Sequence, residues 1–191
     1  MLQKLIIVMI AAMVPFTVAC ADNATSGTVS VEGKPYVRAF TTNLVDHGIG
    51  DVQLNPTQAA CVAAKWVNIF QPERLDAAGV EASELRRAGG LDDKVAQVAL
   101  SDAEITKLVE AFGDCEVDLR DSYITSITEG VSISEADRTC LSEAFSSQLI
   151  DEMMALQITK GAEAVDDDPK MAGEVFAALS SCPGAINPGS G

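Results

Sequence analysis

Asn55-Pro56-Thr57-Gln58-Ala59-Ala60-Cys61 returns, in its essentials, as Ser134-Glu135-Ala136-Asp137-Arg138-Thr139-Cys140. Each stretch opens on a residue whose side-chain oxygen suits a helix N-cap and reaches a cysteine six positions later. Two further caps, Ser101 and Asp168, stand fourteen positions before Cys115 and Cys182. The pattern is an internal duplication of a helical unit, with one cysteine early in one helix and one at the end of a later helix. The expected fold is all-α: two degenerate helical repeats, residues 34–117 and 118–183, packed as one disulfide-stapled domain.

The apolar positions agree. Tyr36, Phe40 and Leu44 recur every four residues behind Pro35, and Leu119, Tyr123 and Ile127 repeat that spacing behind Asp118, with Gly130 placed to end the helix. Trp66 follows Cys61 at the same interval as Phe145 follows Cys140, which reads as a packing anchor beside each staple rather than a binding groove. Ser101 with Glu104 forms a capping-box pattern ahead of Ile105, Leu108, Val109 and Phe112. Ala172, Val175, Phe176 and Leu179 are the matching inward set before Cys182. Differences lie between these shared parts. Gln71-Pro72 starts a short helix in the first copy, stopped by Gly79, whereas Leu149, Met153, Met154 and Leu156 let the second copy run straight through. Glu81 to Leu100 reads as an insertion: one helical turn from Glu84, an interruption at Gly89-Gly90, then a solvated Asp92-Asp93 loop.

The N-terminus addresses the chain for export. Lys4 precedes the apolar run Leu5 to Val14, too short to span a bilayer comfortably, so residues 1–19 read as a signal peptide. Two cleavage patterns overlap there. Thr17-Val18-Ala19-Cys20 is a lipobox, and Ala19-Cys20-Ala21 is an ordinary signal-peptidase site. The lipobox is preferred, because Cys20 closes the apolar run and a small, polar tether of residues 20–33 follows it. A soluble secreted protein is the alternative. Val29 and Val31 alternate as in a short strand but have no evident partner, and residues 184–191 read as a flexible tail.

Five cysteines become four once Cys20 carries lipid, and four suit two disulfides in an exported protein. Three pairings exist. The duplication favours Cys61 with Cys115 and Cys140 with Cys182, while Cys115 with Cys140 is the closer pair in sequence and stays open. Zinc is disfavoured, since no C-x-x-C occurs and His47 is the sole histidine. The Asp166-Asp167-Asp168 triplet lacks the spaced oxygens and glycine of a calcium loop and reads as carboxylates at a helix start. No cofactor is expected.

The 191-residue chain has 13 basic and 28 acidic residues; losing Lys4 with the signal leaves 12 against 28, a balance of −16. Such a surface repels nucleic acid and anionic headgroups, so membrane contact is expected through the lipid anchor only, and a charged partner would be cationic. No H-E-x-x-H, G-x-S-x-G or Walker loop is present. Asp46-His47-Gly48 falls where a helix ends, which makes His47 a dipole partner rather than a general base.

Pro35-Tyr36-Val37-Arg38-Ala39-Phe40, Gln58-Ala59-Ala60-Cys61-Val62-Ala63, Glu73 to Gly79 and the Ser101 to Cys115 helix resemble a group of small exported or lipid-anchored, all-helical proteins of high-GC Gram-positive bacteria whose repeats carry paired cysteines. The resemblance implies helices and export, and brings no catalytic residue with it. The functional expectation is a non-catalytic cell-envelope protein binding an unknown protein or small ligand. Its alternatives are a carboxylate-dependent envelope hydrolase and a structural surface protein without a specific ligand.

Overall fold

A computed structural model describes residues 29–87 and 89–186. The signal segment, Cys20, the tether up to residue 28 and the tail from residue 187 lie outside them. In chain order the helices are α1 (Lys34–Asp46), α2 (Pro56–Phe70), α3 (Pro72–Ala77), α4 (Gly90–Val95), α5 (Asp102–Asp114), α6 (Leu119–Ile127), α7 (Glu135–Ala144), α8 (Ser147–Lys160), α9 (Ala164–Asp167), α10 (Pro169–Ser180) and α11 (Pro183–Ile186).

Capping chemistry sets the starts. The Asn55 side-chain oxygen accepts the Thr57 and Gln58 N–H groups, each at 3.0 Å, and the Gln58 amide reaches back to the Asn55 N–H. Ser101 and Glu104 make the same reciprocal pair at α5. Asp118, Ser134 and Asp168 accept from the first turns of α6, α7 and α10. Each such cap is worth about 1 kcal/mol and fixes where its helix begins.

The first repeat packs α1 on α2 and α2 on α5; the second packs α6 on α7 and α7 on α10. Phe40 meets Trp66 edge-on with centroids 5.9 Å apart, and the equivalent pair Tyr123 and Phe145 sits at 5.2 Å. Phe70 and Phe112 complete a buried aromatic cluster around Trp66 in the first repeat. Disulfides join Cys61 to Cys115 and Cys140 to Cys182, with Cα atoms 5.7 and 5.8 Å apart. Each repeat therefore closes its own staple, and such bonds belong to oxidising compartments. Among the described residues no helix is long and apolar enough to cross a membrane.

Four details depart from expectation. The second copy does not run through: Phe145 leaves helical geometry and Ser146 caps α8, accepting the Leu149 N–H at 3.2 Å. Asp92 and Asp93 lie within α4 and not in a loop, because Leu91 and Val95 supply a buried stripe for that turn and a half, with Leu85 and Val98 buried on either side. Phe176, placed among the inward set of α10, is instead 71% exposed, while Met171 and Ala178 take the buried positions. The ordered body also overruns its expected ends. Val29 packs against the core with a hydrogen-bonded turn, not a strand, between it and α1, and α11 carries the chain past Gly184.

The presumed insertion joins the halves. Helix α8 of the second repeat lies against both α4 and α5 of the first. At the same seam the backbone of Gly50, with φ of 51°, passes Gln157 so closely that a Cβ there would overlap its side-chain amide. One continuous apolar core results.

Candidate functional site: a groove between two repeats

Helix α5 ends in a hydrogen-bonded reversal. The Val117 N–H returns to the Phe112 carbonyl at 3.0 Å and the Glu116 N–H to the Gly113 carbonyl at 3.1 Å, the paired bonds of a Schellman stop. That stop needs one left-handed residue, usually glycine. Gly79 fills the role after α3, with φ of 72°, whereas after α5 the residue is Glu116, at φ 59°. A side chain there costs about 1–2 kcal/mol, since its Cβ crowds the following carbonyl. Gln58 steadies the turn from α2, donating to the Glu116 carbonyl at 3.1 Å.

The reversal forms one end of a groove of about 1090 Å³ whose walls are α5 and α8. Ile105, Val109, Val117, Leu119, Ile150 and Ala155 supply its apolar lining. Glu110, Asp114, Glu116, Asp118, Asp151 and Glu152 surround that lining, against Arg120 as the one basic residue there. Three of these carboxylates already have work. Asp114 pairs with Lys65 at 2.9 Å, Glu152 lies 3.8 Å from Lys170, and Asp118 caps α6. Glu110, Glu116 and Asp151 make no ion pair among the described residues. Partial burial raises the Asp151 carboxyl above its ordinary range, and no neighbouring carboxylate contributes to that shift among the described residues.

A smaller, more polar hollow of about 790 Å³ lies by α6 and the α6–α7 connection. Its Arg138 is engaged with Asp121 at 3.4 Å and Thr125 at 3.3 Å. His47 caps the end of α1, donating its backbone N–H to Asn43 at 2.8 Å, and is exposed. Of the acidic triplet, Asp168 is spent on the Lys170 and Met171 N–H groups, and Asp166 and Asp167 lie in α9. The candidate lipidation residue Cys20 lies outside the described residues. Of the described ones, His47, Arg138 and the acidic triplet do not line the groove.

Glu110, Gly113, Glu116 and Asp151 escape sequence reasoning, because their shared surface depends on helices from different repeats. The one local signal is a helix stop without its glycine, and a stop of that kind is read only once φ is known. Comparison with protein families, curated proteins and solved structures finds no match to this chain.

Proposed function

We propose that this protein is an exported, lipid-anchored binding protein without catalytic activity, holding its ligand in the groove between α5 and α8. The observation that carries the reading is an apolar lining set among six carboxylates, three of which make no ion pair among the described residues. Concave, apolar surfaces with a few directed polar groups are the general form of ligand sites. Catalysis by carboxylates asks for two acids in matched roles. Here no neighbouring carboxylate contributes to the Asp151 shift among the described residues, and Asp118, Asp114 and Glu152 are engaged in capping a helix or pairing with lysines. Export draws support from the leader-like residues 1–19, from the two staples and from the resemblance to small helical proteins of high-GC Gram-positive bacteria. With the other four cysteines bonded to each other, Cys20 is left for a lipid thioether.

A photo-crosslinking residue at Ala155 tests the groove. In intact cells it should trap a partner that the same probe at Phe176, exposed on α10 and not part of the groove lining, does not. Release of soluble fragments from envelope material by the purified protein, abolished in Asp151→Asn, would overturn the non-catalytic reading in favour of a hydrolase. Equal trapping at both positions would favour a structural surface protein.

A further inference from the structure

We infer that the occupant of the groove is a basic amphipathic helix presented by another protein or peptide; this rests on the groove being the binding site. The shape argues for a helix. Ile105, Val109 and Gly113 follow one another at four-residue steps along α5, and Ser147, Asp151 and Ala155 do the same along α8, so two helix surfaces run beside the cavity for about 12 Å each. Surfaces of that kind receive side chains spaced i, i+3 and i+4 on a third helix. The described residues offer no sheet edge for an extended peptide. A volume of about 1090 Å³ also lies at or above the upper end of small-molecule sites.

Charge selects the sign. Glu110, Glu116 and Asp151 make no ion pair among the described residues around the apolar lining, and a second copy of this chain, at −15 overall, would bring more of the same charge. A helix with leucine-like residues on one face and lysine or arginine along its borders satisfies both features at once.

Two residues at the groove fit an occupant. Gly113 lies inside α5, where glycine is a poor helix former, yet a Cβ built on it meets nothing within 4 Å. It leaves space towards the groove. Glu116 holds a left-handed backbone that glycine would adopt freely, so the chain keeps a carboxylate there against its local preference. Strained backbone of this kind clusters at ligand-binding sites.

The test uses the mature chain with Cys20→Ser and four probes: a fluorescent synthetic helix of leucine and lysine with its leucines on one face, its glutamate counterpart, a scrambled peptide of the first composition, and the neutral apolar dye N-phenyl-1-naphthylamine. The lysine helix should bind, weaken as salt rises from about 0.05 to 0.5 M, and move the amide signals of Val109, Gly113 and Ile150. The glutamate and scrambled peptides should not. Glu116→Gly should raise the melting temperature by about 2–4 °C while weakening the lysine helix about three- to fivefold, and Glu116→Gln should weaken it without that gain. Gly113→Leu should keep the fold and lose the peptide. Equal binding of the scrambled peptide, or signals moving elsewhere, overturns the inference. Dye in the groove without the lysine helix overturns it and leaves the groove as a binding site; neither probe there removes both.

Discussion

The indole N–H of Trp66 donates to the carbonyl oxygen of Leu108 across 2.9 Å of fully buried interior. It ties α2 to α5 beside the Cys61–Cys115 bridge, at the centre of the aromatic cluster. Trp66→Phe removes both the donor and part of the packed volume, and should cost about 2–3 kcal/mol. Urea unfolding followed by far-ultraviolet circular dichroism reads this directly, with an unchanged denaturant slope expected. A cost under about 0.5 kcal/mol would mean that the bond and the packing carry no weight.

The staples act separately. Their sequence separations of 54 and 42 residues imply about 4 kcal/mol each from restricting the unfolded chain. Cys61→Ala should expose one free thiol, at Cys115, and leave Cys140–Cys182 closed; Cys140→Ala should do the reverse at Cys182. Peptide mapping under non-reducing conditions distinguishes these products from a Cys115–Cys140 rearrangement. Full reduction should lower the melting temperature sharply.

Acid acts through Glu104. Arg74 and the Ser101 N–H and hydroxyl all engage its carboxylate, which holds it at about 2. A carboxyl lowered on folding adds stability above its unfolded value of about 4.5, and that contribution is lost as pH falls from there towards 2. A side-chain NMR titration should place the Glu104 midpoint near 2, and Arg74→Gln should return it towards the ordinary range. An unmoved midpoint in Arg74→Gln would assign the shift to Ser101 alone.

Two glycines should respond oppositely to alanine. Gly50 combines φ of 51° with the Gln157 side-chain amide where a Cβ would have to stand, so Gly50→Ala should destabilise by about 1–3 kcal/mol. Gly173, inside α10 with nothing within 4 Å, should gain about 0.5–1 kcal/mol as Gly173→Ala. Thermal melts of the two variants side by side settle the matter, and a stable Gly50→Ala would show the seam between repeats to be loose.

Anchoring is tested at Cys20. An acyl-chain probe should label the wild type in growing cells and not Cys20→Ser, and the labelled protein should sediment with membranes. A mature N-terminus at Asp22 in the medium would instead establish ordinary secretion.

Helix starts are legible in this chain because a cap is a local event. Asn55, Ser101, Asp118, Ser134 and Asp168 each satisfy backbone donors within three residues, so neighbouring sequence is enough. The cysteine register is legible for a related reason: a duplicated interval points to a duplicated contact. Phe176 is not, since helical spacing says which residues share a face and not whether anything covers it. In α5 the equivalent position, six before the cysteine, is Val109, which has α8 beside it. Nor is α4 legible, because Gly89-Gly90 and two aspartates hide a stripe of only Leu91 and Val95. The groove is the least readable feature. It arises where the second repeat's α8 leans on the first, a relation between residues some forty positions apart that no local pattern encodes.

That leaning helix also bears on where such a chain came from. A protein holding a single repeat would have left its α5 flank bare and would have needed a second molecule to shield it. Joining two units end to end turns that encounter into a contact at very high effective concentration, present as soon as the chain is made. The duplicated protein is then a dimer that no longer has to meet its partner, and on α10 the matching flank keeps Phe176 exposed among the described residues.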